Sequence, residues 1–225
     1  MAAEAALNAS QTGNAAAYLD FVTATSPSGS INARLRVQRG RLLAHEGATD
    51  QALTMWEQVI KSGDRMATTQ ASLARIRLLL QLKRMEFADA IEALEKLRFV
   101  WRGDRLEFDL LELLATTYLH RGDYWNGLST MRETVALFTE AENTAPVSER
   151  MVQVFRRLFV DGEAARLPPL KALALYEEFR ELSPIDEAGD VVLRGLAARL
   201  VSLDLLAKAG DLLDHQVRFR LTGAA

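Results

Sequence analysis

The residues with the most obvious chemistry are three histidines, His45, His120 and His215, and a run of acids, Glu107, Asp109 and Glu112. A zinc site needs three or four such side chains converging on one ion. His45 and His120 are far apart in the chain and no third ligand accompanies either, so no metal is expected. His215 follows Asp214 and reads as an exposed residue. Acid–base catalysis needs carboxylates set against a reacting group, with a nucleophile or a phosphate-cradling loop nearby. Helical spacing turns Glu112 well away from Glu107, so these acids read as an exposed helix face.

The chain has no cysteine, which removes thiolate nucleophiles, disulfides and Cys-based metal sites together. It contains no G-x-S-x-G, P-loop, H-E-x-x-H or dinucleotide fingerprint. Neither a catalytic constellation nor a cofactor is expected, and the chain reads as a non-enzyme. Arg-Gly-Asp occurs twice, at Arg102-Gly103-Asp104 and Arg121-Gly122-Asp123. Both fall where one helix must stop and another start, and Gly followed by Asp suits a helix C′ residue followed by an N-cap.

The elements that would position these groups are helical. In 225 residues there are only 5 prolines and 13 glycines, and alternating runs of β-branched and aromatic residues are absent, so no sheet is expected. Hydrophobic residues at 49% and charged residues at 25% supply a sizeable core and argue against disorder. The net charge of −3 gives no overall attraction to nucleic acid or to anionic lipid. No apolar run approaches the roughly 18 residues that span a bilayer. Residues 1–19 have neither a basic start nor a continuous apolar stretch, which excludes a signal peptide; Met1 before an Ala-rich segment reads as a cut inside a longer protein. Nothing assigns a compartment, cytoplasmic or periplasmic, although Arg over Lys with abundant Ala hints at a bacterial source.

Helices are predicted near 2–10, 14–24, 31–46, 49–62, 67–83, 86–101, 105–121, 124–141, 147–160, 168–182, 187–204 and 206–221. Ser26 to Ser30 breaks the chain and separates residues 1–29 from an array over 30–225. Pro146 and Ser148 suit a helix start, and Asp161 to Pro169 reads as an insertion.

These helices pair into repeated hairpins. The clearest unit has Leu111, Leu114, Ala115, Tyr118, Gly122, Tyr124, Gly127 and Met131: an amphipathic helix, a Gly-Asp turn and a second amphipathic helix. Small second-helix residues recur at Ala52, Ala90, Gly127, Ala172 and Ala209, spaced by 38, 37, 45 and 37. This pattern resembles the tetratricopeptide repeat (TPR) family, over roughly residues 31–221. Its departures are a period longer than the family's 34, the insertion, and Leu78 where a small residue is usual.

The resemblance implies an all-α, right-handed solenoid of about five helical hairpins whose job is to hold another protein. In that family the concave groove is lined by spaced residues of each first helix. Carried onto this sequence, the rows are Arg34, Val37, Arg41 and His45; then Ser72, Arg75, Leu79 and Lys83; then Asp109, Glu112, Thr116 and His120. Two basic rows and one acidic row imply a protein or peptide partner with acidic character. The Lys and Asn pattern by which chaperone-binding members clamp a C-terminal carboxylate is not reproduced. A scaffold or adaptor is the expected function; the alternative is a regulator whose solenoid changes shape on binding a peptide.

Large apolar residues at helical spacing, among them Met55, Trp56, Phe99, Tyr118, Phe155 and Tyr176, are expected in the inter-helix core, with Trp101 and Trp125 as interface aromatics. The last helix lacks a polar cap, leaving Val217, Phe219 and Leu221 to face further repeats, a partner or a second copy of the chain.

Overall fold

The computed structural model describes residues 12–25, 29–138, 141–184 and 186–220. Among them it is all-α, with no strand, and it divides into two units, Met1–Gly122 and Asp123–Ala225.

In the first unit the helices are α1 (Thr12–Ala24), α2 (Gly29–His45), α3 (Thr49–Ile60), α4 (Arg65–Gln81), α5 (Phe87–Val100) and α6 (Arg105–His120). Local chemistry starts several of them. Asp64 caps α4 by accepting from the Ala67 N–H at 2.7 Å, and Asp104 caps α6 by accepting from the Leu106 and Glu107 N–H groups. Ser30 donates to the Asp64 carboxylate at 2.6 Å, tying the first turn of α2 to the start of α4. Both Arg-Gly-Asp tripeptides are such junctions: Gly103 and Gly122 take φ of +97° and +81°, and Asp104 and Asp123 are the N-caps that follow.

Within this unit each helix packs on the next, and the first helices of successive hairpins also touch, α2 on α4 and α4 on α6. The core between α2, α3 and α4 is built on Trp56, with Val37, Ala52, Val59, Ala71 and Leu78 around it. Trp56 lies against Gly40 of α2, where any Cβ would overlap its indole ring, and its Nε1–H donates to the Val37 carbonyl at 3.1 Å. Ala15 and Leu19 of α1 pack against Leu42 of α2.

The second unit holds α7 (Tyr124–Leu137), α8 (Ala141–Phe159), a 3-10 turn at Glu163–Arg166, α9 (Pro169–Glu178), a 3-10 turn at Arg180–Leu182, α10 (Glu187–Val201) and α11 (Leu206–Arg220). Phe155, Phe159 and Tyr176 form its aromatic centre, with ring centroids 4.7 to 5.9 Å apart. The expected insertion is the segment from Gly162 to Pro168. Arg199 of α10 holds it by donating to the carbonyls of Ala164, Ala165 and Leu167.

Several boundaries differ from expectation. α8 begins at Ala141, a turn and a half before 147, and runs through Pro146. Its buried stripe, Val147, Met151, Val154 and Leu158, continues back to Thr144, while the proline ring faces solvent. Burial along that stripe outweighs the lost backbone bond. The helix expected over 168–182 breaks at Phe179, whose fully buried ring meets Trp125 edge-on and lies under the Arg132 guanidinium at 4.5 Å.

Phe99, expected in the core, is 78% exposed. The buried stripe of α5 (Ala90, Ile91, Leu94) passes it by and leads towards Trp101. The predicted helix at 2–10 and the side chains of His215, Val217, Phe219 and Leu221 lie outside the described residues.

Candidate functional site

The polar row of the first helices is set by how each helix ends. α2 and α4 finish in the same motif: the N–H of Ala48 reaches back to the Leu43 carbonyl and that of Arg84 to the Leu79 carbonyl. The residue before each takes the left-handed conformation, Gly47 at φ +82° and Lys83 at φ +53°; Gly122 occupies that place after α6 at +81°. α3 and α7 begin two residues after their glycines, at Thr49 and Tyr124, whereas α5 begins at Phe87, four residues after Lys83. The α4–α5 turn is therefore two residues longer.

That extra length shifts α4 against the register read from the second helices. Counted back from the turn, Arg41 matches Arg77 and Thr116, His45 matches Gln81 and His120, and Arg34 matches Gln70 and Asp109. Successive helix residues are about 100° apart, so Arg75 and Arg77 face nearly opposite ways.

The side chains follow the turn. A cleft of roughly 210 Å³ between α2 and α4 is lined by Arg41 and His45 on one side and Arg77 and Gln81 on the other. Its apolar lining comes from Ala44, Trp56, Leu73, Ala74 and Leu78.

Arg75, expected in this row, instead pairs with Glu57 of α3 at 3.1 Å, and its Nε is buried without a partner. Lys83 is exposed in the turn itself. Val37 and Leu79, from the same rows, are core residues. Arg34 is exposed near Asp64, whose carboxyl is held below its ordinary range by the Ser30 and Ala67 hydrogen bonds, with the Arg34 charge helping. Glu112 and Thr116 are half-buried on α6, and His120 stacks on Phe87 of α5, with ring centroids 5.7 Å apart.

The acids of α6 are not the exposed face that was expected. Glu107 is buried and accepts from the Gly103 N–H, closing the start of the helix. Asp109 is half-buried and pairs with Arg105 at 3.0 Å. Burial pushes its carboxyl above the ordinary range, against the opposing charges of Arg105, Arg77 and Arg41. Trp101 donates from Nε1 to Asp104 at 2.8 Å beneath Arg65, and Trp125 is exposed along one side.

Among the described residues no three His, Asp or Glu side chains gather as a metal site would require, and no helix is long and apolar enough to cross a membrane. No protein-family model and no curated protein matches the chain.

Sequence reasoning missed Arg77, Gln81 and Arg105. A glycine at 83 would have marked the end of α4, as Gly47 and Gly122 mark the others; a lysine there hides it.

Proposed function

We propose that the chain is a non-enzymatic interaction scaffold of TPR-like hairpins, and that its first unit holds an acidic peptide segment of another protein in the α2–α4 cleft. The observation that carries this reading is the pairing of Arg41 with Arg77 across the cleft, above an apolar lining of Leu73, Ala74 and Leu78. Two guanidiniums offer planar, bidentate donors to carboxylates, and the lining suits the apolar residues between them. The packing of α2 on α4 and α4 on α6 supports a solenoid of first helices in this unit.

The test is fluorescence anisotropy with the full chain and a short fluorescein-labelled peptide of glutamates and leucines. Replacing Arg41 and Arg77 together by Gln should weaken binding by about tenfold, because two partly desolvated charge pairs are lost. Replacing Arg75 and Lys83 by Gln should leave it within about twofold, apart from a small loss in encounter rate. Equal losses from the two double variants would mean a diffuse charge effect and would sink the cleft. Absence of binding even at low salt would remove the acidic-peptide reading.

A further inference from the structure

A second cleft, of roughly 240 Å³, is lined by α1, α2 and α3. It lies on a different side of α2 from the peptide cleft. Arg36, which lines it, precedes Arg41 by five residues, and at about 100° per residue the two stand about 140° apart around the helix. The apolar lining is Leu19 of α1, Leu35 of α2 and Met55 of α3, with Leu19 fully buried.

Two arginines line this cleft, and their charges are met differently. Arg39 pairs with Asp20 of α1 at 2.8 Å. Arg36 is half-buried and donates to the side-chain oxygen of Gln58 on α3, a neutral partner. Among the described residues no carboxylate pairs with it. A guanidinium partly withdrawn from water and bonded only to an amide leaves a positive charge unbalanced beside apolar side chains. We propose that this cleft is a further binding site, for a single carboxylate carried on a short aliphatic chain.

Each part of that ligand follows from the lining. The planar fork of Arg36 offers paired donors that match a carboxylate. Leucines and an adaptable methionine suit an aliphatic chain, and no aromatic ring lines the cleft for a flat ligand to stack on. The volume falls below the range of about 300 Å³ and upward typical of pockets for larger ligands, so the chain is short. Asp20 sets the charge. Two arginines and one acid leave one positive charge, which one carboxylate balances; a doubly charged head group, such as a phosphate monoester, meets the Asp20 carboxylate in excess. An occupant would touch all three helices, adding to the contact that Ala15 and Leu19 of α1 make with Leu42.

The test is a titration of the isotope-labelled full chain with sodium hexanoate, followed by two-dimensional NMR, beside 1-hexanol and hexyl phosphate. Hexanoate should shift the amide signals of Leu19, Leu35 and Met55 saturably, with a Kd of about 1 mM, the scale that so few atoms allow. 1-Hexanol, with the same chain and no charge, should bind at least about fivefold more weakly. Arg36→Gln should weaken hexanoate by about fivefold and leave 1-hexanol unchanged, with unaltered helical circular dichroism. Asp20→Asn should improve hexyl phosphate by more than it improves hexanoate. Equal binding of hexanoate and 1-hexanol would overturn the carboxylate site, leaving only an apolar recess. Shifts confined to Ala44, Leu73 and Ala74 of the peptide cleft, or no saturable shift at all, would overturn it as well. Equal gains from Asp20→Asn for both anions would overturn the assignment of a single charge.

Discussion

The hairpins α2–α3 and α4–α5 are built from the same plan and closed differently. The first turns on Gly47 and restarts after one intervening residue; the second turns on Lys83 and needs three. Their apolar contacts adapt to this. Gly40, which leaves room for Trp56, corresponds in turn register to Ile76 of α4, a buried branched residue. The comparison teaches that a helical hairpin can lengthen its turn and keep its core, provided the first helix rotates and exchanges which polar residues face outward.

The largest effects expected from breaking this comparison are in the two cores. Gly40→Ala should destabilise the chain by about 3 kcal/mol, because a methyl group overlaps the Trp56 ring and displaces its bond to Val37. Ile76→Ala, at the matching place, should cost a similar amount, about 3 kcal/mol, for the opposite reason: it leaves a cavity. Urea denaturation measures both. A neutral Gly40→Ala would show that α2 and α3 are not locked by this approach.

Exchanging the turns gives smaller effects of opposite sign. Lys83→Gly should stabilise by up to about 1 kcal/mol, since glycine adopts a positive φ without a Cβ penalty. Gly47→Lys should destabilise by about 1 kcal/mol. If both substitutions lower the denaturation midpoint, Lys83 is held by interactions that outweigh its backbone strain.

The smallest effect concerns two acids with opposite pH behaviour. Asp64 at the start of α4 has a lowered pKa, caused first by the Ser30 hydrogen bond. Its contribution is present above the unfolded carboxyl value near 3.8 and is lost as pH falls through the lower folded value. Asp109 has a raised pKa, caused first by burial, so the folded state binds its proton more readily than the unfolded state does. It therefore opposes folding above its folded value, and that penalty fades as pH falls through it towards 3.8. In acid, Asp64→Asn should flatten the pH dependence of thermal unfolding, and Asp109→Asn should steepen it. Parallel shifts from both would show that neither carboxyl is coupled to folding as described.

Much of the helical organisation was legible in the residues. The apolar spacing from Leu111 to Met131, and the Gly-Asp pairs at 103–104 and 122–123, mark helix faces and junctions through interactions spanning only a few residues. Other features were not. Pro146 reads as a helix start, yet burial of Thr144 and Val147 carries α8 past it. Glu107 reads as a surface acid, yet it closes the start of α6. In both cases a contact outside the local pattern decides the outcome.

The candidate site divides in the same way. That the chain is helical, where most of its helices lie, and that Arg41 and His45 share a face of α2 can all be read from the residues, because three- and four-residue spacing is a local property. That Arg77 and Gln81 meet them across the cleft, while Arg75 turns to Glu57, follows from the packing of whole helices. The physical reason is that two additional turn residues leave the apolar pattern of each helix intact, while a two-residue change of register rotates a helix by about 200°.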